Sequence, residues 1–245
     1  MKGLAWAGLG VVAGAACFWP AATLETAVQQ RLPVGSTVVL SGSVWKGAGH
    51  IQSSGVTWPI DWQFMPSRLL AAQLAWQLDA RPAGAVATLQ VAVGSSGATL
   101  RTPVFDGEIR TLHPWFPALR LLGVQGRARL DTSNFELSPA TPWHAEGEGR
   151  LALSELSLAA IGGSGLGNHE FALKATGDAV SVEVVKSDGT LKLEGKGRLS
   201  NQGEYSVQGS ALPLASFDHE SRSRLGRFAT AQSDGRFRLD ARGKW

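Results

Sequence analysis

The sequence predicts a mainly β protein, with one N-terminal transmembrane helix followed by a curved antiparallel β-sheet built as a meander with few short helices. Three observations support this fold class. Apolar and polar residues alternate with a period of two along much of the chain, turn residues recur at short intervals, and residues 3–24 carry no charge. Alternation indicates half-buried strands, and closely spaced turns favour antiparallel neighbours.

The uncharged stretch Gly3–Leu24 is long enough to cross a membrane as a helix. Its 22 residues reach about 33 Å at about 1.5 Å per residue, against a hydrocarbon core of about 30 Å. Trp6 and Trp19, near its ends, suit the two membrane interfaces. We expect residues 1–24 to form an uncleaved anchor with a cytoplasmic N-terminus. A cleaved signal peptide and a lipoprotein signal that places its lipid on Cys17 are the alternatives.

Residues 25–245 are expected to form a β-rich domain in the periplasm. The tract 132–147, which contains Pro139 and Pro142, is the best place for a division into two halves if there is one. Cys17 is the only cysteine, so the exported part has neither a disulfide nor a cysteine-based metal site. Charged residues make up 18% of the chain and its net charge is +3, a balance that does not by itself indicate a nucleic-acid partner.

The strands follow from the alternation, which is clearest between Phe171 and Gly209. The predicted strands are 38–45, 69–78, 87–93, 98–102, 108–112, 126–130, 151–158, 171–175, 180–184, 191–193 and 205–207. The apolar positions change parity across Ser154-Glu155, which predicts a β-bulge there. Two short helices are predicted, at 116–122 and at 217–228 with Ser216 or Asp218 as the N-cap.

A search for catalytic chemistry gives no candidate centre. The five histidines lack metal-ligand spacing, and Gly163-x-Gly165-x-Gly167 lacks the lysine of a phosphate-binding loop, so it is interpreted as a turn. Asp218-His219-Glu220-Ser221 contains the residue types of a hydrolase triad. Consecutive residues rarely converge on one substrate atom, so this run is better interpreted as a charged helix start. We therefore predict a protein that is not an enzyme, without catalytic, cofactor or metal residues.

Two residue types are unusually concentrated. Five of the nine tryptophans crowd the first half of the exported part: Trp45, Trp58, Trp62, Trp76 and Trp115. They could stack on bases or sugars, but rings that fill a curved sheet and bond their indole N–H groups locally are the favoured interpretation. Seven basic residues fall between Arg222 and Lys244. They predict a solvated face or a docking surface for an acidic partner or anionic headgroups.

Taken in order, the motifs of the chain resemble those of the type II secretion system protein N family of Gram-negative inner membranes. The first are Gly42-Ser43-Val44-Trp45-Lys46-Gly47 and the run from Ile60 to Leu70, in which Trp62, Pro66 and paired leucines follow one another. Later ones are Gly126-Arg127-Ala128-Arg129-Leu130, Asp188-Gly189-Thr190-Leu191-Lys192-Leu193-Glu194-Gly195, Leu225-Gly226 and Gly235-Arg236-Phe237-Arg238-Leu239. Each motif is weak alone, and their order carries the resemblance.

The resemblance implies a non-catalytic accessory subunit of the machine that exports folded proteins across the outer membrane. The implied location is the inner membrane, by a single pass, with most of the chain in the periplasm. The implied partners are the inner-membrane platform, the pseudopilus or the secretin. The family-motif residues that are candidates for partner contact are Gly42, Trp45, Gly47, Trp62, Pro66, Gly189, Leu191, Gly195 and Arg227. The alternative function is lipid binding or lipid transfer in a curved apolar β groove.

Overall fold

The computed structural model describes residues 19–95, 97–163 and 165–244. These residues form one 14-stranded sheet in which each strand is antiparallel to its neighbours, and sequence order is kept up to β12, which is followed by β14 and β13. The strands are β1 Thr37–Gly42, β2 Lys46–Ser53, β3 Val56–Phe64, β4 Leu74–Ala80, β5 Ala85–Gly94, β6 Gly97–Glu108, β7 Val124–Ser138, β8 His144–Leu158, β9 Gly165–Gly177, β10 Ala179–Asp188, β11 Leu191–Ser200, β12 Glu204–Pro213, β13 Thr230–Ala231 and β14 Phe237–Lys244. The predicted mainly β meander is confirmed.

Helices are few and short, as predicted. The α-helices are α1 Glu25–Gln29, α2 Pro117–Leu121 and α3 His219–Leu225, and 3₁₀ turns lie at Ala21–Leu24, Pro66–Ala71, Ile109–Leu112 and Ala159–Ile161. Asp218 caps α3, because its carboxylate accepts a 2.7 Å hydrogen bond from the backbone N–H of Ser221. The expected N-cap is therefore confirmed, and the helix is shorter than the predicted 217–228, because it ends at Leu225.

The strand connections gather at two ends of the sheet. The helical end contains the connections 109–123, 159–163 and 214–236, which include α2 and α3. The entry end contains the connections 43–45, 65–73, 139–143 and 201–203. The chain enters the fold at this second end, because the carbonyl of Trp19 accepts a 2.9 Å hydrogen bond from the N–H of Val44.

One face of the sheet is apolar across its width. Directly paired residues lie on the same face, and one row of pairs runs Ile60, Ala80, Ala87, Phe105, Leu130, Leu151, Phe171 and Val184. We call the face that carries this row the apolar face. The opposite face carries cross-strand ion pairs such as Arg127 with Asp106, at 3.2 Å. Because apolar and polar residues alternate in the sequence, one surface of the sheet is apolar and the other is charged.

The buried core lies where the apolar face meets the helical end. Side chains from the strands pack there against residues of the helical connections, namely Ile109, Ile161, Phe217 and Leu225. The core contributions from the strands include Trp58, Phe105, Leu156, Leu166, Leu191 and Phe237. Because the helices cover this half only, the other half of the apolar face lacks a comparable cover within the described residues.

The start of the described chain packs along the first strand. Pro20 has extended backbone and pairs with Ser43, and Ala21 is fully buried. Residues 19–24, which the sequence places at the end of the apolar stretch, thus belong to the folded domain here. None of the described helices is long and apolar enough to span a bilayer. The remainder of the predicted anchor, residues 1–18, lies outside the described residues.

Two predicted strands are wrong where short helical turns replace them. The first part of 69–78 belongs to the 3₁₀ turn that Pro66 starts, since proline suits the first helical position, and only the part from Leu74 onward pairs as β4. The segment 108–112 forms a 3₁₀ turn because Thr111 Oγ1 donates to the carbonyl of Glu108 at 2.7 Å. This turn points Ile109 into the core.

The predicted bulge in β8 and the remaining strands can be compared with the structure in the same way. The bulge at Ser154-Glu155 is confirmed, since Glu155 has a φ of 53° and the pairing with β9 shifts between Leu153 and Leu156. Strands β2 and β3 were missing from the sequence-based prediction. The tract 132–147 forms the tip of the β7–β8 hairpin, through which the sheet continues without interruption.

His169 is the largest fully buried side chain of the described core. Its Nδ1 lies 2.9 Å from Ser187 Oγ, while its Nε2 is buried and has no hydrogen-bond partner in the described residues. Burial lowers the pKa of His169, and the nearby Asp188 carboxylate only partly opposes this effect. The neutral ring is thus favoured, because the doubly protonated, charged ring would carry an N–H at Nε2 without a partner in the described core.

We therefore expect the protein to lose stability as the pH falls below about 6.5, the ordinary pKa of histidine. The unfolded ring takes up a proton there that the folded ring resists, so protonation favours the unfolded chain. Denaturant midpoints between pH 7.5 and 5.5 should fall less for His169→Asn than for the native chain. The exposed His50, changed to Asn, is the matched control and should keep the native slope. An unchanged slope in His169→Asn would contradict this assignment.

Candidate functional site

The family-motif residues separate into three places in the fold. Gly42, Trp45, Gly47, Trp62 and Pro66 meet at the entry end, around the β1–β2 and β3–β4 connections. The set Gly189, Leu191 and Gly195 lies on or beside β11, and Arg227 follows α3. The structure therefore brings five of the nine predicted residues together and leaves four elsewhere.

Aromatic rings fill the entry end of the first four strands. We call Trp45, Trp62, Phe64 and Trp76 the aromatic corner. Trp45 lies edge-on to Phe64 with 4.7 Å between ring centroids, and it stacks on Trp76 at 6.5 Å. Such pairs contribute about 0.5–1.5 kcal/mol each beyond their buried area. Trp45, Phe64 and Trp76 therefore hold one another in place.

The indoles of this corner bond to the β1–β2 turn. Trp62 Nε1 donates to the carbonyl of Ser43 at 3.0 Å, and Trp76 Nε1 donates to the carbonyl of Val44 at 2.9 Å. The turn is thereby fastened to the strands β3 and β4. Local bonding of the indole N–H groups, the favoured interpretation of the sequence, is confirmed for these two tryptophans.

Glycine at position 47 is required by the Trp62 ring. Gly47 is paired with Trp62 across β2 and β3, and a Cβ atom built on Gly47 would lie 2.2 Å from the ring and 2.3 Å from the carbonyl of Ser41. The ring therefore lies flat over the glycine backbone. This contact explains why the early motif combines a glycine with a later tryptophan.

A second aromatic pair lies at the helical end. Trp58 is 8% exposed and meets Trp115 edge-on, with 5.9 Å between the ring centroids. Trp115 follows the 3₁₀ turn that contains Ile109, so this pair fixes the helical connection to β3. Of the five tryptophans singled out in the sequence, all pack against other aromatic rings or bond to the backbone, as core rings do.

Around β11 the motif residues act through the backbone and the core. Leu191 is 3% exposed and belongs to the core. A Cβ atom on Gly189 would lie 2.5 Å from the Cα of Gly167, and one on Gly195 would lie 2.7 Å from the Cα of Gly209. These glycines allow neighbouring strands to approach closely, which side chains at both positions would prevent. None of the three presents a side chain that could recognise a partner.

Arg227 lies near the C-terminal edge of the sheet. It lines a shallow hollow together with Phe228, Arg238 and Asp240. Phe228 is 59% exposed. Of the nine motif residues, Arg227 is the one that offers a charged group at the surface beside a sheet edge.

The two edges of the sheet differ sharply. Beyond β1, the side chain of Glu25 accepts from the N–H of Leu40 at 2.7 Å, and Gln29 accepts from the N–H of Val38 at 3.1 Å. Helix α1 thus occupies two outward N–H groups of β1, those of Val38 and Leu40. At the other edge, β13 covers only the start of β14, by pairing with Phe237 and Arg238.

The outer edge of β14 is therefore open over residues 239–244, where the described residues contain no further strand. The N–H of Gln232 donates to the carbonyl of Arg236 at 2.8 Å, so Arg236 faces outward. Alternation along an antiparallel strand then turns the backbone groups of Asp240, Arg242 and Lys244 outward as well. Unpaired edge groups of this kind are templates for an added strand.

An apolar groove lies on the uncovered part of the apolar face. It has a volume of about 450 Å³, and the side chains along it include Phe171, Val182, Leu193, Val207 and Leu239. The glycines of β11 and β12 form its floor, because they carry no side chain. Groove and edge adjoin one another, since β14 contributes to both.

The suspected hydrolase residues have structural roles. Asp218 caps α3, while Glu220 forms an ion pair with Arg224 one turn later. Residue 219 is exposed at the start of the same helix. Over residues 19–95, 97–163 and 165–244, no group of three or more His, Cys, Asp or Glu side chains could hold a metal ion.

The sequence singled out the tryptophans of the aromatic corner and offered a curved apolar groove as the alternative, but it located neither the groove nor the open edge. The basic residues after Arg222 gave a signal for the edge, because they include Arg238, Arg242 and Lys244. The groove had a weaker signal, the apolar alternation of β10 to β12, which equally describes a fully covered face. Which part of an apolar face is covered depends on the tertiary position of the helices.

Replacing Gly47 tests the aromatic corner. Gly47→Ala should lower the free energy of unfolding by about 1–3 kcal/mol, because the added methyl group displaces Trp62. Gly197→Ala is the matched control, since its Cβ atom would meet nothing closer than 3.6 Å and alanine suits a strand interior better than glycine. Denaturant unfolding of the full chain in detergent measures both. Equal stability of the two variants would show that the corner tolerates the methyl group.

Comparison with known proteins adds the family. A family model described as type II secretion system (T2SS), protein N, matches residues 37–240, from β1 into β14. No curated protein and no solved structure matches the chain. The match includes the aromatic corner and the glycine pairs around β11, and it ends at residue 240, within β14. On this match over most of its length, the chain belongs to the type II secretion system protein N family.

Proposed function

We propose that the protein is a non-catalytic accessory subunit of the type II secretion system, held at the inner membrane with its sheet in the periplasm as a docking platform. The family match supports the secretion role. The observation that supports a docking platform is the difference between the two sheet edges. One edge is capped by α1, and the other is open along β14. A protein that only needed to fold would gain from closing both edges.

The entry end of the sheet faces the membrane in this proposal. The carbonyl of Trp19, the first described residue, accepts a hydrogen bond from the N–H of Val44, so the described part of the chain begins at the entry end. We propose that the uncharged segment preceding this point is a single-pass anchor with a cytoplasmic N-terminus. Exposed apolar side chains at the same end, Leu69 and Leu70, suit a position close to lipid headgroups.

The open edge of β14 is the proposed docking site for another secretion subunit. An extended segment of that subunit would pair with the outward backbone groups of residues 239–244, in the manner of strand addition. Arg238, Arg242 and Lys244 outnumber Asp240 along this edge. The pairs that Asp240 forms with Arg238, at 3.0 Å, and with Arg242, at 3.7 Å, leave an excess of positive charge. A segment with acidic side chains is therefore the favoured occupant.

A proline at position 242 tests the docking site. Arg242→Pro removes an outward N–H, so it should block strand addition while keeping the inward hydrogen bonds with β12. We expect loss of in-cell crosslinks between a photoreactive residue at position 240 and other secretion subunits, together with a loss of secretion. The full chain in its native membrane is used, and crosslinked partners are identified by mass spectrometry.

Arg242→Ala is the matched control, because it removes the same charge but keeps the N–H. It should retain most of the crosslinks. A stably folded Arg242→Pro protein with native crosslinks would refute docking at β14. Crosslinks that disappear equally in both variants would show that charge, and not strand pairing, attracts the partner.

A further inference from the structure

We propose that the open edge of β14 receives the free C-terminus of its partner, in a strand that runs antiparallel to β14. This inference rests on the docking site proposed above and adds which segment of the partner occupies it. Its basis is the shallow hollow of about 460 Å³ at the start of the open edge, which we call the Arg227 hollow and which is lined by Arg227, Phe228, Arg238 and Asp240. The hollow lies where β13 ends the free edge, so it receives the end of an added strand.

Strand β13 limits the space along the outer edge of β14. Thr230 is paired with Arg238, and this is the pair nearest the open part of the edge. The chain before β13 does not continue along β14, because the N–H of Phe228 donates to the carbonyl of Leu225 at 3.0 Å and closes the end of α3. An added strand therefore has free edge opposite residues 239–244 and meets this chain again at Thr230.

The direction of β13 decides which end of an added strand would reach Thr230. Because β13 is antiparallel to β14, a strand added antiparallel to β14 runs in the same direction as β13 and along the same line. Its C-terminal end would point at Thr230, the first residue of β13. A strand added parallel to β14 would place its N-terminal end there instead. The charges around Thr230 therefore discriminate between a terminal carboxylate and a terminal ammonium group.

The Arg227 hollow, which Thr230 also lines, suits a carboxylate. It contains two guanidinium groups, those of Arg227 and Arg238, against the one carboxylate of Asp240. Asp240 is already engaged by Arg238 at 3.0 Å and by Arg242 at 3.7 Å. The guanidinium of Arg227 has no ion-pair partner among the described residues. An α-carboxylate would gain charge-assisted hydrogen bonds here, whereas an α-ammonium group would be repelled, so charge selects the antiparallel direction and a chain that ends at the hollow.

The neighbouring side chains define the chemistry of this C-terminal segment. Directly opposed residues share a face of the sheet, so partner side chains opposite Arg242 and Lys244 lie beside two cations. Phe228, which is 59% exposed, lies in the Arg227 hollow and offers an apolar contact to the last side chain. The occupant is therefore an acidic C-terminal segment that ends in an apolar residue and a free carboxylate.

Photocrosslinking in cells maps the partner chain along the edge. A photoreactive phenylalanine derivative replaces Phe228, at the hollow, or Lys244, at the far end of the edge, in the full chain in its native membrane. Mass spectrometry identifies the partner peptide that each position captures. We expect position 228 to capture the C-terminal peptide of a secretion subunit, and position 244 to capture a residue about four to six positions earlier in the same subunit. An internal or N-terminal peptide at position 228, or no capture there, would overturn the inference.

This outcome is distinguishable from a failure of the docking site itself. Crosslinks at position 240 that Arg242→Pro abolishes report docking on the edge whichever segment of the partner docks. If those crosslinks behave as expected while position 228 captures an internal peptide, strand addition stands and the C-terminal assignment is wrong.

A matched pair of peptides isolates the contribution of the carboxylate. The probe is a fluorescent peptide that ends in Glu-Val-Glu-Val-Leu, and its control is the same peptide with a C-terminal amide. In fluorescence anisotropy with the full chain in detergent, the free acid should bind about tenfold more tightly than the amide. Arg227→Gln should remove most of this preference. Arg222→Gln removes an equal charge outside the hollow and should keep it. Equal binding of acid and amide, binding of neither, or an undiminished preference in Arg227→Gln would each overturn the inference.

Discussion

The structure depends on one constraint: a single sheet with one apolar face has no second sheet to cover it. Each strand buries every second side chain on the same face, so the row from Ile60 to Val184 needs a cover along its whole width. Among the described residues this cover is present at the helical end alone, where Ile109, Phe217 and Leu225 close the core. The apolar groove and the aromatic corner both lie on the part of the apolar face that the helices do not cover. The groove is open to solvent, whereas the corner is filled by its own aromatic rings.

The two edges of the sheet are also covered unequally. A meander of this length has two exposed edges, and α1 satisfies one of them with the side chains of Glu25 and Gln29. The other edge has only the two residues of β13 over its start. The capped edge and the open edge make the sheet asymmetric, and the proposed membrane anchor adjoins its entry end.

The sequence predicted the features that depend on neighbours in the chain. Alternation located most strands, the parity change at Ser154-Glu155 located the bulge, and the capping residue Asp218 located α3. It failed where distant contacts decide, as for the 3₁₀ turn at Ile109, whose burial in the core outweighs its strand propensity. The same distinction applies to the features of the candidate site. Glycines and tryptophans were recognisable because close backbone approach requires them, whereas the open edge and the groove depend on which surfaces remain uncovered after folding.

The orientation of the sheet relative to the bilayer is the central claim, and lipid quenching measures it directly. A single cysteine at Gln202, at the entry end, or at Ser216, at the helical end, is labelled with an environment-sensitive fluorophore in full-length protein that carries Cys17→Ser. The protein is reconstituted in nanodiscs that contain spin-labelled lipid, which quenches only at short range. We expect strong quenching at position 202 and little at position 216. Equal quenching at the two positions, or stronger quenching at position 216, would contradict it.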